Sequence, residues 1–91
     1  MGAFSPNGHW VAYDTNRSRR FEVVVHAFPE PEQEFPISTE GGMAPLWSAD
    51  GTEIYFTGLG GEMMSVRVAT TATTFAAQRL VELFPLDTKY T

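Results

Sequence analysis

Residues 4–13 (FSPNGHWVAY) and residues 47–56 (WSADGTEIYF) share one pattern. Each stretch begins with an aromatic residue and Ser, continues through Asn-Gly or Asp-Gly, and ends in a run of strand-forming side chains. Asn-Gly and Asp-Gly favour tight hairpin turns, since both turn positions prefer a positive φ. The pattern therefore predicts a strand, a hairpin turn and a second strand, and it predicts this unit twice.

The correspondence continues further along the chain, because residues 22–25 (EVVV) align with residues 62–65 (EMMS). A repeat with a period near 40–45 residues and several short strands is typical of a propeller blade. The first copy is expected to have strands at 3–5, 10–14, 21–28 and 34–38, with a polar loop at 15–20. The second copy is expected to have strands at 46–48, 53–57, 63–68 and roughly 78–84, although residues 75–80 could instead form a helical turn on propensity.

On these residues the chain resembles the TolB-like, WD-repeat-like β-propeller repeats of bacterial proteins, whose units begin aromatic-Ser-Pro-Asp-Gly. The resemblance covers residues 2–84 and implies an all-β fold of two four-stranded antiparallel propeller-type blades. Blade one would span about 2–43 and blade two about 44–84, in a single domain (1–91) with a C-terminal tail at 85–91. Asn7 stands in place of the usual Asp and Ala49 in place of the usual Pro, and both residues tolerate the turn.

Two blades leave apolar sheet faces open, whereas at least three stacked repeats are normally needed for stability. The sequence therefore predicts a cyclic homo-oligomer that closes a propeller, with a trimer favoured over a dimer or tetramer. The residues expected at the oligomer interface are Phe4, Val23, Val25, Leu80 and Leu83. Two alternatives stay open, namely a piece of a longer propeller and a compact two-sheet sandwich.

Composition excludes several classes of function. The chain has 91 residues and no Cys, so disulfides and thiol catalysis are ruled out. Its formal net charge is −5, so it lacks the excess of basic residues that binding to nucleic acid or an anionic membrane needs. No apolar run approaches the ~20 residues of a membrane span. If Met1 is the natural start, the absence of a signal peptide predicts a cytoplasmic protein.

The residues with reactive side chains do not form a recognisable catalytic pattern. Ser5 and Ser48 precede the turns and are expected to bond the turn backbone. His9 and His26 lack a third ligand at metal-binding spacing. An arginine cluster at residues 17–20 could clasp an anion, but a solvated hairpin tip is favoured. We therefore expect no catalytic residue, no metal and no cofactor.

The function favoured at this point is a non-catalytic module for protein interaction or assembly, with the chain itself or another protein as partner. This is an analogy at the level of the fold, and fold alone does not imply function. The alternative is a small-molecule or glycan binder that uses the central channel of an assembled propeller.

Overall fold

Eight strands in two sheets make up the computed structural model, which describes residues 2–17, 19–28 and 33–84, without the side chains of residues 17 and 79–84. Sheet 1 contains β1 (Gly2–Phe4), β2 (Trp10–Arg17), β3 (Arg20–Ala27) and β4 (Glu34–Pro36). Sheet 2 contains β5 (Met43–Trp47), β6 (Glu53–Thr57), β7 (Met63–Thr70) and β8 (Phe75–Phe84). Neighbouring strands follow chain order in both sheets and pair antiparallel.

This architecture confirms the prediction of an all-β chain with two four-stranded antiparallel sheets. The described residues include no helix, and so none long and apolar enough to cross a membrane. The connector at 29–32 and the predicted tail at 85–91 lie outside the described residues.

Most strand boundaries lie within two residues of the prediction, and three differ by three residues, namely the end of β2 and the starts of β5 and β8. β2 runs to Arg17 through most of the expected polar loop, because Thr15 and Asn16 continue the ladder opposite Glu22 and Phe21. Cross-strand hydrogen bonding outweighs the polarity of these side chains. β8 begins at Phe75, so the stretch that could have formed a helical turn is strand.

The hairpin turns have the same geometry in both sheets, but not the one predicted. Gly8 donates its N–H to the Ser5 carbonyl at 2.9 Å, and Gly51 donates to the Ser48 carbonyl at 3.0 Å. Both glycines have a φ of 78°, whereas the residues before them do not have a positive φ. In both turns the first central position is taken by a residue that accepts an ordinary negative φ, Pro6 or Ala49, and the glycine at the end of the turn is the left-handed residue.

The two sheets pack face to face around one core. We call the packed side of each sheet its inner face and the opposite side its outer face. The core contains Trp10, Ala12, Val23, Val25, Ile37, Trp47, Ile54, Phe56, Val66, Val68 and Phe75. The indole N–H of Trp47 donates to the Ala3 carbonyl at 2.9 Å, and the indole N–H of Trp10 donates to the Thr71 carbonyl at 2.8 Å. Each tryptophan therefore joins the sheets by both packing and a hydrogen bond.

The connection between the sheets is held against both of them. The Ile37 N–H donates to the Val23 carbonyl and the Gly42 N–H to the Phe21 carbonyl, each at 2.9 Å. A Cβ on Gly42 would lie 2.5 Å from the ring of Phe56 in sheet 2. Glycine is required at this position by the close approach of the neighbouring sheet.

Candidate interaction surface

The outer face of sheet 1 carries a row of aromatic and aliphatic side chains. Successive residues of a strand point to opposite faces, so the side chains that alternate with the buried Trp10, Ala12 and Val25 lie on the outer face. We call this surface the aromatic face, and it consists of Phe4, Val11, Tyr13, Val24, His26 and Phe28.

Ring contacts organise the aromatic face. Phe4 and Phe28 meet edge to face with centroids 4.8 Å apart, and Tyr13 and His26 do so at 5.0 Å. The Tyr13 hydroxyl donates to the Glu34 carboxylate at 2.7 Å. These contacts hold the rings in fixed positions, since edge-to-face pairs are favourable beyond the area they bury.

One end of the aromatic face is open to solvent. Phe4 is 56% exposed and Phe28 is 45% exposed, while Val24 between the other side chains is buried. A contiguous exposed apolar patch on a small protein marks an interaction surface, whereas scattered apolar residues do not.

The outer face of sheet 2 has a different character, and we call it the mixed face. Its members are Leu46, Glu53, Tyr55, Ser65 and Arg67. Leu46 is 62% exposed. Arg67 lies 3.4 Å from the Glu53 carboxylate, and the Ser65 hydroxyl donates to the same carboxylate at 3.2 Å. The mixed face therefore combines an exposed leucine with a small charged network.

The structure separates the five residues predicted at an oligomer interface. Phe4 lies on the aromatic face and is exposed, as an interface residue must be. Val23 and Val25 are fully buried between the chain's own two sheets, so the expectation that they meet another subunit is corrected. Val25 pairs with Ala12 of the neighbouring strand, and both valines belong to the core that sheet 1 shares with sheet 2. The side chains of Leu80 and Leu83 lie outside the description.

Both turn serines bond the turn backbone, as predicted. The Trp10 N–H donates to Ser5 Oγ at 3.2 Å, and the Glu53 N–H donates to Ser48 Oγ at 3.0 Å. In the second turn, hydrogen bonds from the hydroxyl of Thr52 and from Ser48 to the Asp50 carboxylate lower its pKa from 3.8 to about 2. Asn7 takes the place of this carboxylate in the first turn.

The arginine cluster predicted at residues 17–20 is partly occupied by structural contacts. Arg20 Nε lies 2.7 Å from the Glu22 carboxylate. Burial alone would raise the pKa of Glu22, but hydrogen bonds from Ser38, Arg20 and the Gly41 amide outweigh burial and lower it. Arg19 has a positive φ of 71° in the hairpin. Arg20 therefore links the start of β3 to Glu22 and to the Thr39 carbonyl in the connection between the sheets.

The described residues show no cluster of metal ligands and two small recesses. These residues contain no group of three or more His, Asp or Glu side chains that could hold a metal ion. One recess of about 130 Å³ lies between Glu40 and Leu59, and another of about 110 Å³ lies beside Trp10 and Phe35. Both are smaller than the roughly 300–1,000 Å³ typical of ligand pockets.

Sequence reasoning missed the distinction between the two faces of β3. The run Val23-Val24-Val25 reads as apolar on both sides, and only the burial of its neighbours shows which side a second sheet covers. The hydrogen bonds of the two tryptophans across the sheets could have been expected from the sequence, because a buried indole N–H needs an acceptor.

Comparison with family models, with curated proteins and with solved structures returns no match to this chain. Its function is therefore inferred from its own surfaces.

Proposed function

We propose that this chain is a non-catalytic, propeller-type module for protein assembly, and that the aromatic face is the surface through which it assembles. The observation that carries the proposal is the open end of that face, where Phe4 and Phe28 expose about half of their surface while their rings stay fixed against each other. A pre-ordered aromatic patch loses little conformational entropy on binding, which favours its use as an interface.

The likeness of the two sheets supports the propeller part of the proposal. They have the same strand order, and their first hairpins share the same turn bonds and the same glycine φ. The Phe28 N–H donates to the His9 carbonyl and the Val68 N–H to the Thr52 carbonyl, both at 2.9 Å and at aligned positions. Two such sheets stacked face to face are the arrangement of neighbouring blades.

Closure into a ring is the finer part of the proposal. Each chain supplies two blades, so three copies give six, which lies within the 4 to 8 blades that propellers have. Contacts made head to tail between copies form a closed ring when the rotation between subunits allows it. A trimer is accordingly the assembly we propose, with the dimer and tetramer as the other closed forms.

Concentration-dependent hydroxyl-radical footprinting tests this function. Leu59 is a matched control, because its exposed fraction of 46% is nearly that of Phe28. It lies in the turn between β6 and β7, away from the aromatic face. We expect oxidation of Phe4 and Phe28 to fall several-fold as protein concentration rises, while oxidation of Leu59 stays constant. Unchanged oxidation of all three residues at every concentration would refute the proposed assembly.

A further inference from the structure

The aromatic face occupies the positions that, in sheet 2, form a packed interface. In the alignment of the two turn motifs, Phe4, Val11 and Tyr13 correspond to Trp47, Ile54 and Phe56. Val24, His26 and Phe28 correspond in the same way to Met64, Val66 and Val68. The strand register supports the alignment, since Val11 pairs with His26 as Ile54 pairs with Val66. Each of these sheet 2 residues belongs to the core or packs against it.

The complementary side of that interface also has a counterpart on the outside of the chain. The inner face of sheet 2 packs on the side of sheet 1 that carries Ala3, Trp10, Ala12, Val25 and Ala27. Their aligned positions in sheet 2 are Leu46, Glu53, Tyr55, Ser65 and Arg67. These five residues form the mixed face.

We infer that the aromatic face of one copy docks on the mixed face of a second copy, and that this contact continues the packing of sheet 2 on sheet 1. The inference rests on the proposed assembly function and names its partner surface. Within one chain, Trp47 of sheet 2 meets Ala3 of sheet 1. In the proposed contact Phe4 takes the place of Trp47, and Leu46 of the second copy takes the place of Ala3.

Charge complementarity favours this pairing over one between two aromatic faces. The aromatic face is bordered by the Glu34 carboxylate, which accepts the Tyr13 hydroxyl hydrogen bond. The mixed face presents Arg67, whose side chain is 61% exposed and only loosely paired with Glu53 at 3.4 Å. Two aromatic faces would bring two Glu34 carboxylates together in a chain that already has a net charge of −5. On the mixed face, by contrast, Arg67 balances the charge of Glu53, so docking there does not bring Glu34 against an excess of negative charge.

The two faces of such a contact are different surfaces, so each copy uses both of them. In a head-to-tail contact, unlike a symmetric one, two variants that are damaged on different faces can complement each other. A variant damaged on the aromatic face keeps a working mixed face, and a variant damaged on the mixed face keeps a working aromatic face. Mixing the two variants therefore restores one intact interface.

The test uses Phe4→Glu for the aromatic face and Leu46→Glu for the mixed face, with Ala49→Glu as a control that adds the same charge on an exposed turn. All three positions are exposed, so the variants are expected to fold, and thermal melts followed by circular dichroism check this. Sedimentation velocity then reports the number of chains in each assembly. We expect Phe4→Glu and Leu46→Glu to be single chains when alone, an equimolar mixture of them to form a two-chain species, and Ala49→Glu to behave as the wild type.

The outcomes separate this inference from the proposed function. If wild-type protein assembles but Leu46→Glu assembles equally well, the aromatic face pairs with itself and the head-to-tail contact is wrong, while the assembly function stands. If both variants are single chains and their mixture also stays so, the contact is refuted as well. If wild-type protein is a single chain at every concentration, the assembly function itself fails.

Discussion

Removing two methyl groups from Val25 distinguishes a core residue from an interface residue. Val25 is fully buried between the two sheets of one chain. Truncation to Ala loses about 0.8 kcal/mol for each buried carbon and leaves a small cavity, so we expect Val25→Ala to lower the free energy of unfolding by about 2–3 kcal/mol. For a chain of this size the melting temperature should fall by roughly 10–20 °C.

The matched control is Val11→Ala, which deletes the same atoms from the partly exposed outer face. At concentrations where the chain is single its expected cost is no more than about 1 kcal/mol, because less apolar surface leaves water there on folding. Urea unfolding of both variants measures the difference, with an unchanged m-value as the sign that the unfolded state is the same. Equal costs for the two variants would refute the placement of Val25 in the core. A cost of Val25→Ala that disappears on dilution would place the residue between chains instead.

Three further perturbations test the local structure. Gly42→Ala places a Cβ against the buried ring of Phe56, and we expect the free energy of unfolding to fall by about 1–3 kcal/mol in urea unfolding; an unchanged value would mean the sheets are farther apart. Arg19 has a left-handed φ of 71°, which glycine adopts without strain. Arg19→Gly should therefore leave the free energy of unfolding unchanged or raise it by up to about 1 kcal/mol, as measured from the thermal midpoint. A clear fall in the midpoint would show that the arginine backbone is not strained. The pKa of Asp50 is lowered to about 2, so its stabilising effect is complete above pH 3.8 and is lost as the pH falls toward 2. Asp50→Asn should therefore flatten the fall of the urea midpoint between pH 4 and pH 2, making this turn resemble the one that carries Asn7; equal slopes in the two proteins would show that the carboxylate is not held in the turn.

The sheets could be predicted from sequence because their signals are local. A turn motif that contains Gly8 or Gly51 followed by strand-forming residues defines a hairpin with few alternatives, and strand order followed from the short connections. The polar residues Thr15 and Asn16 concealed the full length of β2, because a hairpin arm can extend beyond the core when its backbone ladder continues.

The packing of the faces could not be predicted in the same way. A strand that is apolar at Val23, Val24 and Val25 gives no sign of which side meets another sheet. That choice depends on the distant Trp47 and Ile54, which cover one side in three dimensions. The predicted interface residues Val23 and Val25 were therefore placed on the side of the strand that sheet 2 covers, and the structure retains Phe4 and removes Val23 and Val25 from the exposed surface.

The most direct test of the account is the molar mass of the wild-type chain in solution, measured by light scattering on a size-exclusion column over a range of concentrations. The account predicts a mass that is a small whole-number multiple of 10.1 kDa, three-fold for the favoured ring, and a return to the single-chain mass for Phe4→Glu. A folded, cooperatively unfolding species of 10.1 kDa at every concentration would contradict it, and would show that two sheets with an open aromatic face are sufficient as a free-standing fold.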